Sequence, residues 1–324
     1  ITNDTDLPRI DFTDGTGSLL LEPQRTNKIT YSEDFSQWST NDVTLESGYT
    51  APDGSTNAYK VTRTGTTAYV VLSGGLLGTD ARTIYARTVS GSGDVKLTSH
   101  NLNTNNLFTI TEEWQRFEVN SAPQVGTNFY AVDFRGSGTT LDELIIWGAQ
   151  CEVGDYATSY IPTSGSTVTR SQDVANNSGN SDLINSTEGV LYAEISALAD
   201  DGENNRSIRL TSSVDNTTYV LVKYGSPANR LEYQYRTTGH SIQALFFKDL
   251  ADVTSFVKIA GTWKSNEFKL FVNGTQVGVT NTSGNVSPAS TFNVLEFDNF
   301  YGNVKCVAVF TEALTDEQLE KLTS

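Results

Sequence analysis

Short β-rich runs recur along most of the chain, and almost nothing between them carries a helical period. Residues 68–72 (AYVVL), 83–89 (TIYARTV), 116–119 (RFEV) and 129–134 (FYAVDF) are each bounded by Gly, Ser, Asn or Asp. Residues 144–147 (LIIW) form a continuous apolar run that reads as a buried strand, with Trp147 in the core. The pattern resumes in 189–195 (GVLYAEI), 219–223 (YVLVK), 231–236 (LEYQYR), 256–263 (FVKIAGTW), 267–272 (EFKLFV) and 304–310 (VKCVAVF). The Asn273-Gly274 pair between two β runs is a strong hairpin signal. Strands without intervening helices predict an all-β chain of antiparallel sheets closed into sandwiches.

One helix stands out, at the C-terminal end. Thr315 is placed as its N-cap, Asp316 and Glu317 fall in the first turn, and Gln318 sits three residues past the cap. Leu319 and Leu322 then share one face. The chain's 324 residues favour two domains. Their break is read at 166–182, where the composition turns to Ser, Thr, Asn and Gly. Residues 1–165 are therefore expected to form one sandwich with an N-terminal lead-in, 166–182 a linker, and 183–324 a second sandwich. Ile1 is preceded by no initiator Met and followed by no cleavage signature, which reads as part of a longer or processed product.

Composition excludes several functions. With 38 acidic against 22 basic side chains the formal charge is -16, which offers no footprint for a phosphate backbone, so no nucleic-acid partner is expected. No apolar run approaches the ~18 residues of a membrane span, so no membrane insertion is expected. Two His and two Cys argue against a protein-built zinc site. Cys151 and Cys306 read as buried free thiols in separate domains, with an interdomain disulfide as the alternative. A Ser/His/Asp triad would have to use His100 or His240, and neither lies in a nucleophile-elbow context.

Residues 18–38 (SLLLEPQRTNKITYSEDFSQW) and 147–170 (WGAQCEVGDYATSYIPTSGSTVTR) resemble a module of bacteriophage tail-fibre, head-fibre and adhesin-type proteins, also met in some secreted bacterial proteins. That module is similar to jelly-roll carbohydrate-binding domains. The resemblance implies a structural calcium site drawing on residues 33–36 and 141–144, with Asp34 and Asp142 as ligands. Ser36 departs from the acidic residue expected there, and solvated acidic turns are the alternative. Residues 183–324 resemble laminin-G or concanavalin-like lectin sandwiches. The resemblance rests on Trp263, the run Phe268 to Gly274, the run Phe300 to Val304, and the A-L-T-D-E turn into the last helix.

Sugar sites combine an aromatic or apolar platform with amide, carboxylate or guanidinium groups that bond hydroxyls. In the strand at 231–236, alternation puts Leu231, Tyr233 and Tyr235 on one face and Glu232, Gln234 and Arg236 on the other, with His240 just beyond. The polar set is a candidate glycan site; an ordinary sandwich strand is the alternative. The loop from Asp200 to Arg206 is rich in oxygen ligands. It is read as a rim loop, with Asn205 and Arg206 toward sugar and Asp201 toward calcium, or as a solvated turn. Arg82, Tyr85 and Arg87 are read as sharing a solvent-facing surface. Trp114 and Arg116 are assigned to packing and strand ends.

The expected function is non-catalytic: a virion fibre or spike protein, at the virion surface, binding host cell-surface polysaccharide. Other virion subunits are expected partners, with a homotrimer supplying avidity and no cofactor required beyond the implied calcium. A capsid-decorating or fibre-shaft role is the structural alternative, and a polysaccharide lyase the enzymatic one. A secreted or cell-surface bacterial protein is the alternative location.

Overall fold

The computed structural model describes residues 8–73, 80–99, 106–122, 129–200 and 206–324; His100, Asp201 and Asn205 lie outside the described residues. Their chain divides into two compact units, Gln24–Ser171 and, discontinuously, Asp4–Pro23 with Gln172–Ser324. Strands β1 (Arg9–Asp11) and β2 (Ser18–Leu21) open the chain.

The first unit holds β3 (Arg25–Asn27), β4 (Ser39–Asn41), β5 (Val43–Tyr49), β6 (Ala58–Arg63), β7 (Tyr69–Ser73) and β8 (Asp80–Arg87). It continues with β9 (Gly93–Ser99), β10 (Leu107–Ile110), β11 (Gln115–Ala122), β12 (Phe129–Asp133), β13 (Glu143–Val153) and β14 (Val168–Arg170). Two five-stranded sheets result, ordered β10-β9-β12-β7-β4 and β11-β8-β13-β6-β5, with β3 and β14 paired apart. All pairings are antiparallel. Alternate residues from both sheets meet in one core, among them Val61, Val70, Ile84, Val95, Tyr130, Val132, Leu144 and Ile146.

The second unit adds β15 (Glu188–Ala197), β16 (Arg206–Thr211), β17 (Tyr219–Gly225), β18 (Arg230–Thr237) and β19 (Ser241–Asp249). It closes with β20 (Val257–Lys264), β21 (Glu267–Val272), β22 (Thr275–Gln276), β23 (Val294–Asp298), β24 (Gly302–Phe310) and the helix α1 (Asp316–Thr323). Its sheets run β1-β2-β24-β15-β20-β21-β22 and β19-β18-β17-β16-β23, again antiparallel. Leu191, Ile195, Ile208, Val222, Tyr233, Tyr235, Ile259, Trp263 and Phe268 meet between them. Asn273 and Gly274 both take positive φ and join β21 to β22, as their hairpin chemistry requires. Thr315 caps α1 through a capping box: it accepts from the Gln318 N–H at 3.3 Å, and Gln318 Oε1 accepts from the Thr315 N–H at 2.9 Å. Leu319 and Leu322 pack on Val190, Tyr192, Ala260, Phe271 and Phe310, so α1 covers the outer face of the larger sheet.

Three sequence expectations differ from this architecture. The N-terminal lead-in joins the second unit, because β2 pairs with β24 through Leu19↔Val304 and Leu21↔Gly302. Residues 166–182 contain a strand and edge contacts in place of a linker. Val168–Arg170 pairs with β3, whereas Leu295 and Phe297 of β23 donate their N–H groups to Ser178 and Ala175. These polar residues satisfy backbone groups along sheet edges rather than fill a core, so their composition resembles that of a linker. Finally, both cysteines are free, but only Cys151 is buried. A register shift at residues 304–306 of β24 breaks the alternation and leaves Cys306 exposed.

The Asp- and Thr-rich composition has a local cause. Asp11, Asp14, Asp34, Asp53, Asp215 and Asp252 each accept from the backbone N–H and the hydroxyl of a Ser or Thr two residues on. Such turns close chain reversals without apolar content.

Candidate functional site

Antiparallel register brings side chains from five strands onto the outer face of the β19-β18-β17-β16-β23 sheet. One row reads Asp298, Ser207, Lys223, Glu232, Phe247; the next Glu296, Arg209, Leu221, Gln234, Leu245. Tyr219 stands opposite Arg236 in a third. Leu231, Tyr233 and Tyr235 point the other way, into the core.

The polar groups of β18 form a directed chain. Lys223 Nζ lies 3.1 Å from Glu232 Oε2, to which Gln234 Nε2 donates at 2.7 Å. Arg236 Nε in turn donates to Gln234 Oε1 at 3.0 Å. The Gln234 amide is thus held in one orientation, with its carbonyl toward the cation and its NH2 toward the carboxylate. Glu232 and Gln234 are only 7% and 6% exposed, so neighbours, not water, satisfy them. Arg236 remains half-buried; its guanidinium lies 5.8 Å over the Tyr219 ring and donates to the His240 carbonyl at 3.4 Å. The His240 ring meets Tyr219 edge-on, with centroids 6.2 Å apart. The Asp215 carboxyl is held below the usual range, chiefly by hydrogen bonds from Thr217 and Thr218.

Beside this chain Leu245 and Phe247 are exposed on β19, and the Arg230 guanidinium lies 5.2 Å over Phe247. Across β16, Arg209 pairs with Glu296 at 2.5 Å and with Asp298 at 2.9 Å. The face therefore offers an exposed apolar strip next to a fixed guanidinium and an exposed imidazole.

The candidate residues divide accordingly. Glu232, Gln234, Arg236 and His240 come together. Arg206 does not: it lies on the core side of β16, opposite Tyr224, and donates to the Ala199 carbonyl at 3.3 Å. Alternation along β16 puts Ser207 and Arg209, not Arg206, on the outer face. Asn205 and Asp201 fall outside the described residues. Asp34 caps the short helical turn Phe35–Gln37 and accepts from Ser36 and Tyr59; these bonds, led by Ser36, lower its carboxyl below the usual range. Asp142 is exposed and faces Arg63 at 3.7 Å. Among the described residues no three His, Cys, Asp or Glu side chains gather as a metal group. Arg82 is buried and donates to the carbonyls of Thr98 and Phe129, so it does not share the face of Tyr85 and Arg87. Sequence reasoning missed Tyr219, Lys223, Leu245 and Phe247. Their alternation was legible, but their position beside β18 depends on strand order.

Residues 191–320 match the Laminin_G_3 family, described as the Concanavalin A-like lectin/glucanases superfamily. No curated protein matches the chain in sequence. Among solved structures, the chain is similar to a heptameric SAP-like pentraxin from Limulus polyphemus, at 13% identity, covering 46% of this chain and 74% of that one with a TM-score of 0.38. It is also similar to the CBM40 of a Ruminococcus gnavus IT-sialidase bound to α2,3 sialyllactose, at 13% identity, covering 47% and 95% with a TM-score of 0.36. Mouse laminin α1 domains LG4-5 share 9% identity over 78% of this chain and 90% of that one, with a TM-score of 0.28. All three scores lie below 0.5 and bear on no residue of the site. No helix among the described residues is long and apolar enough to cross a membrane.

Proposed function

We propose that the second unit binds glycans without chemical turnover, through the outer face of the β19-β18-β17-β16-β23 sheet. The observation that carries this reading is the juxtaposition of the Glu232–Gln234–Arg236 chain with exposed Leu245 and Phe247. An apolar strip suits the CH face of a pyranose, and a fixed guanidinium suits its hydroxyls. The match of residues 191–320 to a superfamily of lectins and glucanases supports the lectin reading of this unit. Among the described residues, the Glu232 carboxylate is already engaged by Lys223 and Gln234, which supports binding rather than the acid–base pair that glycoside hydrolysis uses.

The resemblance carried by residues 18–38 and 147–170 supports reading this as the activity of a bacteriophage fibre or spike, with a host surface polysaccharide as the glycan. Single sites of this openness are weak, and a homotrimer in contact with other virion subunits converts them to avidity. Glycan arrays and whole-cell binding by the native assembly test the reading. Saturable binding to one class of surface polysaccharide, lost on Arg236→Gln, supports it; absence of binding to any glycan rejects it.

A further inference from the structure

Trp147 is buried, yet it does not belong to the core of the first sandwich. With Ile145 it points to the opposite side of β13, away from Leu144 and Ile146, and forms a separate cluster with Ala51, Ala58, Tyr49, Tyr85, Trp114 and Tyr160. Two rows cross this outer face. Arg116, Tyr85 and Trp147 stand side by side on β11, β8 and β13; Arg87, Ile145, Lys60 and Glu46 stand side by side on β8, β13, β6 and β5.

The rings are fixed before any ligand arrives. Trp147 and Tyr160 have centroids 4.7 Å apart, and Tyr85 lies 5.4 Å from Trp147 and 6.2 Å from Tyr160. Trp147 Nε1 donates to Asn57 Oδ1 at 2.9 Å, and Asn57 Nδ2 donates to Glu33 Oε2 at 2.8 Å. The other Glu33 oxygen accepts from the Tyr160 hydroxyl at 3.0 Å. One carboxylate therefore orients two of the rings. Gly148, at φ +65°, gives the turn of backbone by which Trp147 and Tyr160 meet; a Cβ there would stand 3.1 Å from Tyr85 and 3.4 Å from Tyr160. Tyr49, Tyr85, Trp114, Tyr160 and Arg87 all keep part of their surface in solvent.

The charges on this face are unequal in one respect. Lys60 is paired with Glu46 at 2.9 Å, and Arg116 with Glu118 at 3.1 Å. Arg87 instead lies 5.5 Å over the Trp114 ring and donates to the Thr88 carbonyl at 3.2 Å. Among the described residues it has no ion pair; Glu143, on the same face of β13, lies beyond ion-pair distance. Its remaining N–H groups can take a planar oxyanion bidentately. The formal charge of -16 does not cancel this, because at physiological ionic strength surface charges beyond ~8 Å are largely screened.

The geometry points to this face as a second carbohydrate site, separate from the one on the second unit, that takes a pyranoside chain bearing carboxylates. Trp114 and Tyr85 receive the sugar rings, and Arg87 pairs with the carboxylate. The probe is tetragalacturonate, with its methyl ester as the neutral counterpart, titrated calorimetrically into the full chain. The acid is expected to bind roughly tenfold or more tightly than the ester, as a charge-assisted bidentate pair implies. Arg87→Gln is expected to weaken acid binding far more than ester binding and so abolish that preference, and Arg87→Lys to restore part of it. Trp114→Ala is expected to weaken acid and ester alike. Near-ultraviolet circular dichroism confirms that each variant is folded. Absence of acid binding, equal binding of acid and ester, or a preference that survives Arg87→Gln would each overturn the proposal. So would loss of the preference in Arg236→Gln, which would assign the uronate to the second unit and leave the glycan reading of that unit intact.

Discussion

Gly261 lies against the ring of Tyr233 so closely that a Cβ on it would stand 2.3 Å from Cδ2 and Cε2. The two residues face each other across the core of the second unit, and the Tyr233 hydroxyl donates to the Thr262 carbonyl at 2.9 Å. The ring is fully buried, so it cannot yield to an added methyl group without moving β18 or β20. Gly261→Ala is expected to destabilise the second unit by about 1–3 kcal/mol, the usual cost of overpacking. Denaturant unfolding followed by tyrosine and tryptophan fluorescence measures it; a change below ~0.5 kcal/mol would show that the sheets can move apart.

Glu152 gives the first unit a pH-dependent stability. Its side chain is fully buried beside Arg25, and Thr158 donates to both its oxygens at 2.9 Å. Burial nevertheless pushes its carboxyl up to about 6. A raised pKa on an acid means that the folded state binds the proton more tightly than the unfolded chain, whose carboxyl titrates near 4.5. This contribution is therefore fully present below pH ~4.5 and is lost as pH rises through ~6, by about 2 kcal/mol. Other carboxylates, such as Asp34, slope the opposite way at lower pH. The difference in stability between the wild type and Glu152→Gln isolates the effect. It is expected to shift by that amount between pH 4.5 and 7, against the wild type, and a constant difference would refute the assignment.

One thiol of the two is expected to react. Cys306 is exposed, whereas Cys151 is buried and pushed up to about 12, chiefly by desolvation. An aromatic disulfide reagent at pH 8 should titrate a single thiol in the native protein and a second only after unfolding. Two fast thiols would place Cys151 at the surface.

In the second unit, Gln234→Ala removes the link between Glu232 and Arg236 without touching the core. Glycan binding is expected to fall roughly tenfold, since Arg236 loses the acceptor that holds it, and stability by about 1 kcal/mol, since buried Glu232 loses a donor. A large loss of stability with unchanged binding would give Gln234 a structural role only.

Much of this was legible in the sequence. The period of two in 231–236 separated Tyr233 and Tyr235 from Glu232 and Gln234 correctly, because both faces of that strand are uninterrupted. The general tendency of free thiols to be buried misled at Cys306, because the register shift in β24 turns it outward, and no single-residue tendency carries that information. Arg82 and Tyr85 were grouped although their separation is odd, and an odd separation on a regular strand means opposite faces. Trp147 was assigned to the core from its apolar neighbours. A run such as LIIW is buried on both sides of β13, and the sequence does not tell which side holds the sandwich. The pairing of β2 with β24 left no local trace, because polar edge contacts and long-range partners have no period.

That pairing changes what counts as a separable piece. The sheet that begins at Arg9 is completed only by residues near 304, so the second unit stays short of a strand until almost all of the chain has been made. Meanwhile residues 24–171 can finish folding, leaving Pro23 and Gln172 at the two ends of one closed excursion. Glu22 and Asp173 are bonded to each other there, the Asp173 carboxyl accepting from the Glu22 N–H at 2.6 Å and the Asp173 N–H donating to the Glu22 carbonyl at 2.9 Å. A fragment started at residue 183 would lack β1 and β2 and would present one bare side of β24, a template for pairing with other chains. Excising 24–171 and rejoining the flanks with a short turn is the cut that leaves the second sandwich whole.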